Sequence, residues 1–334
     1  MNLFGEAFVR WHGEAPWAGG LVEGLALKYD TVEGHGWYDN LDPTVDLLAE
    51  ELEPGAVLID YSGGTGILAQ RLIERRAAQD LGIVIVDSSP KFLRLALEKF
   101  RDNQAVAFRH IQYIKAEKRL QTLDETARWS LLPAQPAALV STNAIHLYYG
   151  LHETIRSWWR VLGPGASLYV QSGNIANPDA PDGTWIIDET VEHIHRISLD
   201  LAHSDPEFAS YRSVMDDQAY MNAHTDLRKK YFLPVRPLST YVEAIEGSGF
   251  RMVSAECRPI QANVEDWYRF LSVYHEGVVG WMGGAKRITG TTVDERVKAD
   301  RLTMMRRALD ILFEGHDTFD ASWTYLKATR LDEA

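Results

Sequence analysis

The amino-acid sequence predicts an α/β protein with a doubly wound, mostly parallel sheet of seven strands. Short apolar runs alternate with amphipathic segments along most of the 334 residues, which is the pattern of strand–helix–strand units in a parallel sheet. A glycine-rich turn joins the first apolar run to the helix after it. Two long helical stretches interrupt the alternation, which predicts helical insertions after strand 5 and between strands 6 and 7.

The predicted strands are apolar runs of a length typical of buried strands. They cover residues 56–60, 82–87, 105–114, 137–142, 167–171, 250–257 and 323–329. Ordinary helix signals lie between them. Ser88 or Ser89 can cap one helix, with Pro90 at its first position. A Gly-Pro-Gly turn at 163–165 ends another helix, predicted over 151–161.

This order predicts six segments. They are a helical N-terminal cap (1–52), a sheet core (53–173), a helical insertion (174–237), a return to the core (238–262), a second helical insertion (263–318) and a final strand with the tail (319–334). The insertions either enlarge the hydrophobic core or form a lid over the carboxyl ends of the strands. We favour the lid, because open α/β sheets bind ligands at those ends.

Composition and charge exclude several classes of protein. Hydrophobic residues make up 46% and charged residues 24%, which excludes a collagen-like or wholly disordered chain. With 34 basic and 47 acidic residues the net charge is −13, which disfavours nonspecific binding to nucleic acid. The single cysteine, Cys257, cannot form a disulfide within the chain, and no apolar run predicts a membrane span. We therefore expect a cytoplasmic protein with a small-molecule substrate, no nucleic-acid or membrane partner, and a monomeric or homodimeric state.

The glycine-rich turn is the strongest functional signal. The sequence DYSGGTG at 60–66 lies between a predicted strand and a helix, and Asp87 ends the next strand. Glycines let a ligand approach the backbone, and a helix N-terminus offers free N–H groups. A carboxylate at Asp87 can accept the hydroxyls of a ribose. The order predicts a nucleoside-containing ligand; the alternative is a structural turn whose Asp87 only caps the following helix.

Two cofactor classes fit this turn. Residues 64–69 (GTGILA) match the dinucleotide fingerprint G-x-G-x-x-A. The stretch VLIDYSGGTGIL at 57–68 resembles motif I of the class I S-adenosylmethionine (SAM)-dependent methyltransferases, and IVIVDSS at 83–89 resembles their second strand. Residues 141–170 resemble the family's fourth strand, next helix and fifth strand, and ALKYD at 26–30 resembles a segment that precedes the core in some members.

The resemblance implies a SAM-binding, Rossmann-like core at 53–173 and a methyltransferase of small-molecule type. The cofactor-binding residues that it implies are Tyr29, Tyr38, Asp60, Ser62, Gly64, Gly66, Asp87, Ser88 and Asn143. Two departures from the family pattern stand out. Ser62 replaces the first motif glycine, which costs free energy if that position needs a positive φ. Lys115 lies near a position that is often acidic in the family and contacts adenine, so Glu117 is the substitute candidate.

Three histidines are candidate general bases. His146 follows the fourth strand, beside the expected methyl group; it either acts as the base or packs and hydrogen-bonds there. His193 shares a helix face with Glu189, and a solvated helix surface is the alternative. His275 lies in an aromatic part of the second insertion, which either lines the acceptor pocket or is ordinary helix packing. No third ligand accompanies His193 and Glu189, so no metal is predicted.

Together these features predict a SAM-dependent methyltransferase that transfers a methyl group to an oxygen, nitrogen or carbon atom of a small organic acceptor. Two alternatives remain open. An NAD(P)-dependent oxidoreductase would use the same glycine-rich turn. A non-catalytic SAM-binding regulatory subunit would account for Ser62 and Lys115.

Overall fold

The computed structural model describes residues 3–22, 30, 36–76 and 80–332. The main strands are β1 (Val57–Tyr61), β2 (Gly82–Asp87), β3 (Val106–His110), β4 (Ala138–Thr142), β5 (Ser167–Ser172), β6 (Phe250–Asn263) and β7 (Thr318–Arg330). They form one sheet in the order β6-β7-β5-β4-β1-β2-β3. The strands β1 to β5 pair in parallel, whereas β7 is antiparallel to both β5 and β6. The predicted doubly wound, mostly parallel seven-stranded sheet is confirmed.

Helices connect and cover these strands. The α-helices are α1 (Asp42–Glu51), α2 (Ile67–Arg76), α3 (Pro90–Phe100), α4 (Leu151–Val161), α5 (Ile187–Ser204), α6 (Gln218–Tyr231), α7 (Leu238–Glu246), α8 (Val264–Val273), α9 (His275–Val279), α10 (Lys286–Thr289) and α11 (Glu295–Leu312). Shorter 3-10 segments are Gly36–Leu41, Leu123–Glu125, Trp129–Leu131, Ile145–Leu147 and Pro206–Asp216. Two minor strand pairs join Tyr113–Ile114 to Arg119–Leu120 and Ile175–Ala176 to Arg236–Pro237.

The central parallel strands are buried on both faces, whereas the edge strand β6 is largely exposed or half-buried. Every residue of β1 and β2 is buried, which explains why both strands are near-continuous apolar runs. On one face α1, α2 and α3 contribute Leu48, Leu72 and Leu97 to an apolar cluster. On the other face α4 and α7 contribute Trp158 and Ile245.

The helical insertions lie where the sequence predicts them, after β5 and between β6 and β7. They pack against each other in a third apolar cluster, which includes Val191 of α5, Leu271 of α8 and Met304 of α11. The strand β7 joins this layer to the sheet. Its residue Leu326 belongs to the sheet core, whereas Trp323 belongs to the helical cluster.

The local structure differs from the predicted one in three places. Residues 3–22 form turns and bends rather than a helical cap, because four glycines and Pro16 interrupt them. The first insertion has a short strand, Ile175–Ala176, and no helix among its described residues before α5 begins at Ile187. The strand β6 continues to Asn263 as an edge strand that accommodates Pro259. Within the described residues no helix combines the length and apolarity that crossing a membrane requires. The six-segment division stays a prediction.

Candidate ligand-binding site

A cavity of about 800 Å³ lies at the carboxyl ends of the parallel strands. The chain leaves β1 toward β2 and β3 on one side, and β4 and β5 lie on the other side. The strand order therefore reverses between β1 and β4, and ligands of open α/β sheets bind outside such a switch point. The fold is Rossmann-like. Residues that follow β1, β2, β4 and β5 all line this cavity.

The glycine-rich turn forms one wall of the cavity, through Ser62 and Gly64. Both residues have left-handed backbones, with φ of 60° and 56°. The position of Ser62 therefore does need a positive φ, at a cost that glycine would not incur. The Ser62 hydroxyl lies 2.8 Å from the Tyr148 hydroxyl, which lies 3.0 Å from the hydroxyl of Ser141. This hydrogen-bonded chain offsets part of the cost.

Asp87 also lines the cavity and holds the turn against α3. The backbone N–H of Gly64 donates to one carboxylate oxygen at 2.9 Å, and that of Ser89 donates to the other at 2.6 Å. Ser89 in turn caps α3 by accepting from Phe92. Burial raises the pKa of Asp87, and the backbone hydrogen bonds oppose that rise. Ser89, and not Asp87, therefore caps α3, and Asp87 supports the cap by accepting from the Ser89 N–H. The role of Asp87 toward a ribose stays a prediction.

Two predicted residues of the turn support it from beneath. Asp60 and Gly66 are not among the residues that line the cavity. Gly66 has a φ of 81°, and a Cβ there would lie 2.7 Å from the Phe100 ring. The Asp60 carboxyl is fully buried, and neither oxygen has a hydrogen-bonding partner among the described residues. Burial, reinforced by the charge of Asp87, raises the pKa of Asp60 to about 7.

Asn143 lies at the switch point with a φ of 54°. Its side-chain carbonyl accepts from the Trp323 indole at 2.9 Å, and its amide donates to Asn40 at 3.1 Å. Trp323 also lies against Gly173, where a Cβ would approach the indole to 2.9 Å. These contacts fix the cavity wall between β4, β5 and β7, and Ser88 lines the same cavity at the end of β2.

His146 lines the cavity, but both of its ring nitrogens are engaged. The Asn174 carbonyl oxygen accepts from the backbone of Asp188 at 2.8 Å, so the Asn174 amide nitrogen is the group that faces His146 Nε2 at 3.2 Å. His146 therefore accepts at Nε2 and donates from Nδ1 to the Ser172 hydroxyl at 3.0 Å. Burial and Arg236 lower the pKa of His146 to about 4. This geometry favours the packing alternative over a general base.

The other two histidines lie outside the cavity lining. His193 accepts a hydrogen bond from Arg196 at 2.7 Å and stands edge-on to the Trp185 ring. His275 lies 3.3 Å from the guanidinium of Arg301, and burial lowers its pKa. Neither geometry supports contact with a ligand in the cavity.

The remaining predicted residues have mixed outcomes. Glu117 is exposed, pairs with Arg119 at 2.6 Å and does not line the cavity. The next residue, Lys118, lines it instead with a φ of 54°. Tyr29 lies outside the described residues, and so does the side chain of Tyr38.

Sequence reasoning did not identify the far wall of the cavity in full. Five aromatic residues form this aromatic wall: Tyr231, Phe232, Trp267, Phe270 and Tyr274. Trp267 and Tyr274 belong to the aromatic stretch around His275, so part of the signal was visible. Asp188 was not predicted, because the spacing of Glu189 and His193 indicates a different face of α5.

Comparisons with known proteins give distant likenesses. No family model and no curated protein matches the chain. Among solved structures, a SAM-dependent methyltransferase from Geobacter sulfurreducens with S-adenosylhomocysteine is 12% identical, at a TM-score of 0.48 over 92% of this chain and 97% of that one. Phosphoethanolamine N-methyltransferase 2 from Haemonchus contortus is 14% identical at 0.46, and this chain, 92% covered, spans 57% of its length. The [4+2]-cyclase SpnF is 16% identical at 0.44, over 87% of this chain and 81% of that one.

Proposed function

We propose that the protein is a SAM-dependent methyltransferase acting on a small organic acceptor. The observation that carries the proposal is a continuous cavity. It extends from the glycine-rich turn and Asp87 at one end to the aromatic wall at the other. One end offers backbone and carboxylate groups to a nucleoside, and the other offers an apolar surface to a second molecule.

The charges around the turn favour SAM over a dinucleotide. The Asp60 carboxyl lies directly beneath the turn, and Asp87 lies at its edge. When ionised, these carboxylates attract a cationic sulfonium and oppose a pyrophosphate. A bound sulfonium would lower the pKa of Asp60, which burial raises to about 7 in the empty site. Dinucleotide-binding sheets have the strand order 3-2-1-4-5-6, whereas here the antiparallel β7 lies between β5 and β6. Both features support the SAM proposal.

The chain's own residues hold and shield the reactants. SAM, when bound, supplies an electrophilic methyl group. Ser62, Gly64, Asp87, Ser88 and Asn143 line the cavity and would hold it at the switch point, while Asp60 would support the turn from beneath. Asn143 is oriented from both sides by Trp323 and Asn40, so this wall is in place before binding. The aromatic wall gives the acceptor end an apolar surface that would contact the acceptor.

The proposed function specifies the acceptor only as a small organic molecule. The cavity volume suits a small molecule, and the net charge of −13 disfavours nucleic acid. A cytoplasmic location, the absence of a membrane partner and the monomeric or homodimeric state stay predictions.

Thermal unfolding with separate ligands tests the cofactor class. A ligand at 100 times its Kd stabilises the folded protein by about 2.7 kcal/mol, which corresponds to roughly 5–10 °C for a protein of this size. We expect S-adenosylhomocysteine to raise the Tm, and NAD and NADP to leave it unchanged. A rise with NAD or NADP alone would refute the proposal. Binding of SAM without transfer of its isotope-labelled methyl group to any acceptor pool would indicate the non-catalytic alternative.

A further inference from the structure

Asp188 lines the cavity on the side of the aromatic wall, and no cationic side chain in the described part of the chain pairs with it. It belongs to the first turn of α5 and lines the cavity. Its backbone N–H donates to the Asn174 side chain at 2.8 Å, which fixes its position. Burial raises the pKa of Asp188 to about 7, and the Asn174 amide opposes that rise. Among the described residues no Lys, Arg or His forms an ion pair with it.

The groups around Asp188 do not supply the missing positive charge. His146 shares the Asn174 contact, and its lowered pKa keeps it neutral near pH 7. Burial raises the pKa of Tyr241 on α7, and the charge of Asp188 adds a smaller rise. Arg236 lies beside the same residues, but it donates to the backbone carbonyls of Tyr148 and His146 at 3.2 and 3.1 Å and lies over the Tyr241 ring. A carboxylate in this setting is costly unless a cation joins it.

The aromatic wall lines the same cavity as Asp188. The rings of Trp267 and Phe270 stack at 5.2 Å, and Phe270 lies 5.0 Å from Tyr274. Tyr274 also contacts Tyr231 and Phe232 edge-on. The faces of such rings attract cations, and their apolar area binds a hydrocarbon body. An unpaired carboxylate and an aromatic wall in one cavity fit an organic ammonium.

We infer that the acceptor is a small amine on an apolar body, bound as its ammonium ion by Asp188 and the aromatic wall, and that Asp188 accepts its proton. This inference rests on the proposed function. The N–H bond breaks and the proton passes to the Asp188 carboxylate. The freed nitrogen lone pair then forms the N–C bond to the methyl group. The S–C bond breaks with its electron pair left on sulfur, so that a sulfonium becomes a neutral thioether.

Charge is conserved in this step. An ammonium, a carboxylate and a sulfonium become a methylated ammonium, a carboxylic acid and a thioether. Asp188 suits the proton transfer because a base works best when its pKa lies near the working pH. His146 is the less suitable group, since its Nε2 lone pair already accepts from Asn174.

Calorimetric titration with benzylamine and benzyl alcohol tests the inference without turnover. The two probes share the ring and differ in charge at pH 8. We expect the wild-type protein to bind benzylamine at least about tenfold more tightly, and Asp188→Asn to abolish that preference without weakening benzyl alcohol binding. Glu189→Gln is the matched control, because it removes an exposed carboxylate on the same helical turn that does not line the cavity. Equal binding of the two probes, binding of neither, or a preference that survives Asp188→Asn would overturn the inference.

The pH dependence of benzylamine binding adds a second readout. Benzylamine stays protonated below pH 8, whereas a carboxyl of pKa about 7 loses its charge as the pH falls. Affinity for benzylamine should therefore fall by about 30-fold from pH 8 to pH 5.5, and much less in Asp188→Asn. Asp60 and Asp87 remain in that variant, so their ionisation cancels in the comparison. An identical pH dependence in both proteins would contradict the inference.

A separate titration with S-adenosylhomocysteine distinguishes the two proposals. If this ligand binds but benzylamine shows no Asp188-dependent preference, the amine inference fails and the methyltransferase proposal stands. If the preference is present but S-adenosylhomocysteine does not bind, the transfer step fails and the methyltransferase proposal is refuted.

Discussion

Replacing Asp60 by asparagine should stabilise the protein. The carboxyl is fully buried, and neither oxygen has a hydrogen-bonding partner within the described residues. Its pKa rises from an ordinary 3.8 to about 7 in the folded protein. Between these two values the unfolded chain is ionised while the folded protein keeps the proton. Raising the pH through this window therefore favours the unfolded state, and above about pH 7 the penalty is constant.

The size of the effect follows from the same two values. A pKa difference of one unit corresponds to about 1.4 kcal/mol. The raised pKa of Asp60 therefore lowers the free energy of unfolding by about 4 kcal/mol at pH 8 and about 2 kcal/mol at pH 5, relative to a side chain that does not ionise. Asp60→Asn has nearly the same shape and no charge. Its free energy of unfolding should exceed that of the wild type by amounts that rise from about 2 to about 4 kcal/mol over this range.

Urea unfolding followed by tryptophan fluorescence, from pH 5 to pH 8, measures this difference. Asp46→Asn serves as the control, because Asp46 is exposed and pairs with an exposed Arg75; it should change stability by less than about 0.5 kcal/mol throughout. The reasoning is refuted if Asp60→Asn is less stable than the wild type at pH 8, since Asp60 would then be ionised and stabilised by its surroundings.

Three other substitutions test the site. Gly66→Ala should lower the free energy of unfolding by about 2–5 kcal/mol, because the position has a positive φ and the new Cβ would clash with the Phe100 ring. The control is Gly55→Ala, at a φ of 88° with open space around it, which should lower the free energy of unfolding by only about 1–2 kcal/mol. Equal losses in urea unfolding would disprove the steric contribution. Asp87→Ala should weaken S-adenosylhomocysteine binding by about 10- to 150-fold in calorimetry, because a charged hydrogen bond contributes roughly 1.5–3 kcal/mol; unchanged affinity would place Asp87 outside the site. His146→Ala should lower the free energy of unfolding by about 1–3 kcal/mol by leaving buried polar groups unpaired, and a neutral effect would show that its hydrogen bonds contribute nothing.

The elements of the sheet core were predictable because local and tertiary forces agree there. Buried parallel strands need apolar residues on both faces, so β1 and β2 appear in the sequence as continuous apolar runs. The helix α4 has the predicted bounds, Leu151–Val161. The burial of Phe4 and Phe8 against the sheet core was not predictable, because it is a long-range contact without a periodic signal.

The site was predictable in its cofactor half and less so in its acceptor half. The glycine-rich turn has a fixed relation to the strand before it, so its residues could be placed from the sequence. On α5 the spacing of Glu189 and His193 says that they share a face, but it does not say which face meets the cavity. His193 lies about 140° around the helix from Asp188, at 3.6 residues per turn, and Asp188 has the face toward the cavity. Glu117 was predicted from its charge alone. The left-handed backbone of the next residue, Lys118, turns the chain so that Lys118 and not Glu117 lines the cavity.

The long ladder between β6 and β7 determines how the helical layer can move. The last residue of β5, Ser172, pairs with Thr324, and the β6–β7 ladder continues beyond it to the pair Asn263–Thr318. Beyond Thr324 the two strands therefore form an antiparallel ribbon that pairs with no third strand of the sheet within the described residues. This ribbon joins the sheet at one end and the helical layer at the other. A hinge motion within this ribbon would break hydrogen bonds of the ladder, each with a net contribution of about 0.5–1.5 kcal/mol. Gradual bending of the ribbon would keep all of them. We therefore expect an acceptor to enter the cavity through bending of this ribbon and rotation of side chains, and not through a hinged movement of the helical layer.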